Sequence, residues 1–123
     1  MPQPETKIVN KIKARLTELR KAGRPLWHFK VHGGPAQLAG VPDLCVVYNG
    51  IALFLEVKQP GKKLARLQEH RIDEIRAAGG VACRVESVEC VEAVLNDVDA
   101  RMRSMFPNGG RWAFSEQGRK TLP

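Results

Sequence analysis

The 123-residue sequence lacks the features of a membrane or secreted protein. No apolar run approaches the ~20 residues that cross a bilayer, so a membrane-spanning helix is not expected. The opening residues, MPQPETKIVNK, contain no apolar signal-peptide core. The three cysteines, Cys45, Cys83 and Cys90, are odd in number and match no zinc-module spacing. We therefore expect reduced thiols in a cytoplasmic compartment, that of a bacterium or a phage-infected cell, with Cys45 and Cys83 filling the core.

Acidic residues are in short supply. Thirteen Asp and Glu oppose twenty Lys and Arg, which gives a net charge of +7 and a pI near 9.7. This balance is typical of proteins that bind a phosphate backbone. No basic amphipathic helix with exposed aromatics favours a membrane surface. The apolar fraction of 43% is sufficient for one compact domain, so the charge indicates a folded nucleic-acid-binding protein.

Hydrophobic periodicity and turn residues divide the chain into helices and strands. The predicted segments are a helix at 4–22, a strand at 26–32, strands at 42–48 and 51–58, a helix at 62–78, a strand at 81–87 and a helix at 88–104. The order αβββαβα predicts an α/β fold in which helices flank a small mixed β-sheet. Residues 1–106 are expected to form the domain, and 107–123 a C-terminal extension without periodicity.

Local signals place several residues within these segments. Asn49-Gly50 is a strong signal for a two-residue hairpin turn between the two central strands. Ser87 is a plausible N-cap for the last helix. In the helix at 62–78, the spacing of the apolar residues predicts that four of them face inward: Leu64, Leu67, Ile72 and Ile75.

Three charged residues, Asp43, Glu56 and Lys58, interrupt two otherwise apolar strands. Side chains alternate across a strand, so Glu56 and Lys58 share a face. A two-residue turn at 49 and 50 places Asp43 opposite Glu56, with Cβ atoms roughly 4.5–5.5 Å apart. Two carboxylates this close repel each other unless a cation lies between them, and hard oxygen ligands favour Mg²⁺ or Mn²⁺.

Each of these residues also has a purely structural interpretation. Asp43 follows Pro42 at a strand start and can cap a turn. Glu56 and Lys58 can form the solvated edge of a one-sided sheet. Because the residues between them are apolar, the strands are predicted to be buried on both sides except at this point, which favours a chemical role.

The sequence resembles a known nuclease family at these positions. Pro42-Asp43 followed by Glu56-Val57-Lys58 resembles the PD-(D/E)XK motif of restriction-endonuclease-like nucleases. The segments GVPDL, FLEVKQPGKK, LQEH and AGGVACRVES resemble the VRR-NUC domain, the virus-type replication-repair nuclease module, over residues 5–94. The resemblance implies a restriction-endonuclease-like core, in a module that occurs alone in phages and bacteria and within larger DNA-repair nucleases.

The resemblance implies roles for the motif residues. Asp43 and Glu56 would be metal ligands, together with the backbone carbonyl of Val57. Lys58 would orient or help to deprotonate the attacking water and offset charge in the transition state.

Two further residues match the family pattern with less constraint from spacing. Glu5 would be an additional metal ligand, bound directly or through a water, although an acidic residue at a helix N-terminus is also favoured by the helix dipole. Gln68 would lie over the site; its alternative is an ordinary position on the helix surface.

Other basic residues are candidate contacts to the nucleic-acid backbone, since each neutralises one phosphate. They are Lys30, His32, Lys62, Lys63, Arg66 and Arg71. Individually, such residues also serve simply to keep a surface soluble. His28 and His32 have no third ligand at useful spacing, so a histidine metal site is not expected.

Together these observations predict a Mg²⁺- or Mn²⁺-dependent, structure-selective DNA endonuclease. By family analogy, it would act as a homodimer on four-way or other branched DNA. A non-catalytic, basic nucleic-acid-binding module of the same fold is the alternative of a different class. An RNA-directed nuclease would share the chemistry and differ in substrate.

Overall fold

The computed structural model describes residues 4–33 and 38–108, and its elements follow the predicted order. The elements are α1 (Glu5–Lys21), β1 (Leu26–Lys30), β2 (Leu44–Tyr48), β3 (Ile51–Val57), α2 (Arg66–Ala77), β4 (Val81–Val85) and α3 (Val88–Met105). The predicted α/β order is therefore confirmed. Residues 34–37 and 109–123, the latter holding most of the predicted C-terminal extension, lie outside the described residues.

The four strands form one sheet in the order β1-β2-β3-β4. The first three pair antiparallel, whereas β4 pairs parallel with β3 after the chain crosses over through α2. This is the small mixed sheet flanked by helices that the sequence predicts. β2 and β3 are each paired on both sides, so the residues that adjoin their ends start from well-defined backbone positions.

The turn between β2 and β3 sets their register. Asn49 has φ 51° and Gly50 has φ 84°, and a type I′ turn requires positive φ at both central residues. Tyr48 consequently pairs with Ile51, and the ladder continues to Leu44 opposite Leu55. Residue 43 lies just outside the paired positions, and its carboxylate accepts a hydrogen bond from the Val57 N–H beside Glu56.

One face of the sheet carries the main core. Ile12 and Leu16 of α1 are completely buried, Leu95 of α3 is 1% exposed, and all three pack against strand residues such as Leu44 and Leu55. The helix α2 lies on the opposite face, where Ile75 and Phe54 line a common cavity. Among the described residues, no helix has the length and apolar character needed to cross a bilayer.

The helix α2 departs from its sequence prediction. It begins at Arg66, so Leu64 precedes it, and of its residues only Ile72 is buried. The prediction that Leu67 faces inward is wrong, because its side chain is 42% exposed. Leu67 instead lies against the loop before β2, where a Cβ on Gly40 would be 2.7 Å from its Cγ. Gly40, at φ +80°, thus permits this close approach of loop and helix.

A polar network that the sequence did not indicate joins three elements at the turn end of the sheet. The Tyr48 hydroxyl accepts a hydrogen bond from Arg24 Nη2 at 2.6 Å and donates to Asp99 Oδ2 at 2.9 Å. Tyr48 is only 2% exposed, so these bonds satisfy a phenol oxygen that would otherwise be costly to bury.

Removal of the N-cap of α3 should measurably destabilise the fold. The Ser87 hydroxyl accepts a hydrogen bond from the backbone N–H of Cys90 at 3.1 Å, as predicted for an N-cap. We expect Ser87→Ala to lower the free energy of unfolding by about 1 kcal/mol, because one N–H of the first turn loses its acceptor. Urea denaturation followed by circular dichroism measures the change. Ser104→Ala, at an exposed position in the last turn of α3, is the control; an equal loss there would contradict the cap assignment.

Candidate metal and phosphodiester site

Asp43 is held by both neighbouring strands at the end of β2. Its backbone carbonyl accepts a hydrogen bond from Val31 N–H at 2.7 Å. Its carboxylate Oδ2 accepts another from the backbone N–H of Val57 at 3.0 Å. The buried Pro42 precedes it, and its ring restricts the backbone conformation at that point. Asp43 therefore has a defined position rather than the mobility of a turn residue.

Glu56 lies beside Asp43 and is 2% exposed. Its Oε1 accepts a hydrogen bond from Gln68 Nε2 at 2.9 Å. Its Oε2 is buried with no hydrogen-bond partner within the described structure. Burial, followed by the neighbouring Asp43 carboxylate, raises the pKa of Glu56 to about 8. The Glu56 carboxylate is therefore incompletely stabilised by the groups that the described structure places around it.

Lys58 and Glu5 complete one side of the site. The Lys58 Nζ lies 3.8 Å from Glu5 Oε1, and the Lys58 side chain is only 12% exposed. The ammonium also acts on Glu56, since its charge opposes the rise in the Glu56 pKa. Glu5, in the first turn of α1, shares a cavity of about 130 Å³ with Asp43 and Lys30. The structure thus brings the first helix to the motif.

Gln68 uses both ends of its side-chain amide. Its Oε1 accepts a hydrogen bond from Ala65 N–H at 2.9 Å, which caps the start of α2. Its Nε2 donates to Glu56. The amide therefore links the first turn of α2 to a buried carboxylate, and the structure places Gln68 at the site, where the family resemblance puts it.

The chemistry of the donor set suits a hard divalent ion. Adjacent oxygen donors from Asp43 and Glu56 include a buried Oε2 without a hydrogen-bond partner, and a cation would remove the repulsion between them. Within residues 4–33 and 38–108, however, no three His, Cys, Asp or Glu side chains gather into a metal-binding cluster. Side-chain ligation would therefore rest on two carboxylates, a number that suits Mg²⁺, which retains several waters. The Val57 carbonyl and Glu5 remain predicted ligands.

Most of the predicted phosphate contacts have exposed side chains. They are Lys30, His32, Lys62, Lys63 and Arg66, and Lys30 also lines the cavity that Asp43 and Glu5 share. Arg71 differs, because its Nε donates to the carbonyl of Ala39 at 2.9 Å and its Nη1 lies 2.6 Å from Glu74. The bond to Ala39 attaches α2 to the loop before β2, and both bonds leave Arg71 less available to a ligand than the other five.

Sequence reasoning did not single out Arg84. It lies opposite Glu56 in the parallel ladder. Its Nη2 donates to the carbonyls of Gln59 at 3.0 Å and Lys62 at 2.9 Å, so it fixes the loop that carries Lys62 and Lys63. An arginine in an otherwise apolar strand, VACRV, was the available signal.

Comparisons with known proteins establish the fold. No family model and no curated protein matches the sequence. Among solved structures, one described as "VRR_NUC domain" matches with a TM-score of 0.61 at 23% identity, covering 75% of this chain and 94% of that one. Another, described as "VRR_NUC domain protein", gives a TM-score of 0.60 at 19% identity, covering 84% of this chain and 91% of the other. The chain therefore has the restriction-endonuclease-like fold of VRR_NUC domain structures.

The buried Glu56 carboxylate should lower the free energy of unfolding of the metal-free protein, by an amount that depends on pH. Its folded pKa of about 8 exceeds its ordinary value of 4.5, so the cost is absent below the ordinary value and complete once the pH passes the folded value. In EDTA at high pH, we expect Glu56→Gln to stabilise the fold by on the order of 3–5 kcal/mol. At acidic pH the stabilisation should largely vanish. Chemical denaturation across the pH range measures it.

Asp73→Asn is the matched control, since Asp73 is an exposed carboxylate on α2. It should show no comparable pH-dependent gain. A Glu56→Gln variant no more stable than wild type at high pH would show that Glu56 is adequately compensated in the folded protein.

Proposed function

We propose that this chain is a VRR-NUC-type nuclease that hydrolyses phosphodiester bonds in DNA with Mg²⁺ or Mn²⁺. The observation that carries the proposal is the pair Asp43 and Glu56, with a buried, unpartnered carboxylate oxygen and Lys58 beside it. The fold shared with VRR_NUC domain structures supports it. The net charge of +7 supports a polyanionic substrate.

In this proposal Asp43 and Glu56 hold the divalent ion, with the Val57 carbonyl as a backbone ligand. When bound, such an ion lowers the pKa of water and polarises the phosphate. The Val57 N–H and the Gln68 amide orient the two carboxylates through their hydrogen bonds. Lys58 provides an ammonium where negative charge develops on the phosphate oxygens.

Glu5 has a positioning role in this scheme. Its carboxylate partners Lys58 at 3.8 Å and shares the cavity that Asp43 lines. It can therefore hold the ammonium near the phosphate position, or accept a hydrogen bond from an intervening water in that cavity. Both roles keep Glu5 outside the direct ligand pair.

One observation favours the alternative of a non-catalytic nucleic-acid-binding module. No third acidic or histidine side chain joins Asp43 and Glu56 in a cluster within the described part of the chain. A binder of this kind would take up no ion at these two residues. Calorimetric titration with Mn²⁺ separates the two functions, because the nuclease requires a stoichiometric site that Asp43→Asn removes.

We also propose that the substrate is branched DNA and that the protein acts as a homodimer. A domain of this size offers little surface to grip a junction, and two copies would present two sites and two sets of exposed cations. Light scattering coupled to size-exclusion chromatography tests for the dimer. Parallel assays with four-way junctions, duplex DNA and RNA test the substrate.

Catalysis should depend on the motif residues. With Mn²⁺ and a labelled four-way junction, Glu56→Ala and Lys58→Ala should each reduce the nicking rate by at least ~100-fold, because each removes a group that stabilises the transition state. Gln68→Ala should cause a smaller loss, since it orients Glu56 without holding the ion.

Asp97→Ala and Lys21→Ala serve as charge-matched controls, since both residues are exposed and neither borders the site. Both controls should retain wild-type rates. Undiminished nicking by Glu56→Ala or Lys58→Ala would remove this mechanism.

A further inference from the structure

Two aromatic side chains are exposed side by side on the edge strand β1. Trp27 is 49% exposed and Phe29 is 44% exposed. Their ring centroids lie 5.3 Å apart with an angle of 46° between the planes, so the two rings form one continuous apolar surface. Large aromatics exposed together are unfavourable in water and commonly mark a binding surface. The proposed chemistry makes no use of either ring.

The strand register places this surface beside the candidate site. Phe29 pairs with Cys45, and Asp43 lies two residues before Cys45, immediately before β2 begins. Diagonal neighbours of this kind lie ~7–8 Å apart between Cα atoms. Cys45 pairs with Phe54, two residues before Glu56, so alternation puts Trp27 and Phe29 on the same face of the sheet as Glu56. The aromatic surface therefore lies on the same face of the sheet as Glu56, one strand away from Asp43.

The charge around this surface indicates the type of ligand. Lys30, which follows Phe29, is exposed and lines the cavity that contains Glu5 and Asp43. His28, between the two aromatics, projects on the opposite face of the sheet, where Lys13 and Arg20 of α1 act on it electrostatically. Cations thus lie along the same edge strand, on the face opposite the aromatic rings. This combination suits a polyanion that carries flat rings, whereas a second copy of the chain would bring its own charge of +7.

We infer that Trp27 and Phe29 form a stacking platform for unpaired bases of the nucleic acid, with Lys30 contacting the adjacent backbone phosphate. The inference deepens the proposed function and rests on it: among branched substrates, those with a single-stranded segment next to the bond that is cut are preferred over fully paired junctions. Aromatic side chains stack on any base, so the platform selects unpaired structure rather than sequence. A fully paired duplex keeps its bases stacked on each other and cannot use it.

Binding in EDTA tests the platform without any cleavage. Trp27 is one of two tryptophans in the chain, so a Trp112→Phe variant leaves Trp27 as the sole indole reporter. Short oligothymidine should quench its fluorescence, and a blunt duplex of equal length should quench it much less. In anisotropy titrations, Trp27→Ala and Phe29→Ala should each weaken oligothymidine binding roughly 5- to 100-fold and change duplex binding less than about twofold.

Conservative variants and an unrelated apolar position serve as controls. Trp27→Phe and Phe29→Tyr keep an aromatic face and should retain most of the affinity, even if an alanine variant folds poorly. Met105→Ala, at a side chain that is 65% exposed on α3, should leave both affinities unchanged. Circular dichroism confirms that each variant is folded before its titration is interpreted.

Three outcomes would overturn the platform: unchanged oligothymidine binding in the alanine variants, an equal loss for single strand and duplex, or a shift in oligomeric state that accounts for the loss. The last would identify the rings as a contact between copies. Failure of the proposed nuclease function is separate. It would appear as no metal-dependent cleavage, while the metal-free binding preference for single strands could still be present.

Discussion

The register between β2 and β3 is the constraint on which the site depends. Two residues with positive φ, Asn49 and Gly50, close the turn and pair Tyr48 with Ile51. Because side chains alternate, a slip of one residue would move Asp43 and Glu56 to opposite faces and bring apolar residues out of the core. The hydrophobic core therefore enforces the same register that joins the two carboxylates. Core packing and the proposed chemistry are not independent features of this fold.

The same arrangement imposes an electrostatic cost. Glu56 stands on a strand that is paired on both sides, next to Asp43, with one oxygen lacking a partner. The protein offsets part of this cost through the Val57 N–H on Asp43 and the Gln68 amide on Glu56. These groups orient the carboxylates but supply no full positive charge. The negative charge of the two carboxylates is therefore only partly compensated, and a divalent ion can complete the compensation. A lysine placed between them would stabilise the fold but would occupy the position of the ion.

The sequence was sufficient for features that local rules determine. Alternation and the Asn-Gly turn predicted the strands and their register, and periodicity with Ser87 predicted α3. It was not sufficient where distant segments meet. Leu67 fits an amphipathic pattern, yet it packs against the loop at Gly40, because tertiary contacts decide which part of a short helix is covered. Two sets of hydrogen bonds likewise join residues that no spacing rule relates. Arg84 donates to the carbonyls of Gln59 and Lys62, and Arg24 donates to Tyr48 and Asp99. The family resemblance implied that Glu5 is a ligand at the site, whereas its contact with Lys58 at 3.8 Å was not predicted.

Alternation along β1 explains how one short strand can serve two kinds of contact. Phe29 and Lys30 are consecutive, so their side chains leave opposite faces of the sheet. Phe29 projects on the face of Glu56 and α2, whereas Lys30 reaches the cavity beside Glu5 and α1. Asp43, immediately before β2, lines the same cavity as Lys30. On this edge strand, two consecutive residues therefore present an aromatic ring on one face and an ammonium on the other. The proposed ligand, a nucleic-acid strand, has a matching arrangement of bases and phosphates. An interior strand such as β3 could not do this, because both of its faces are already covered at Leu55 and Glu56.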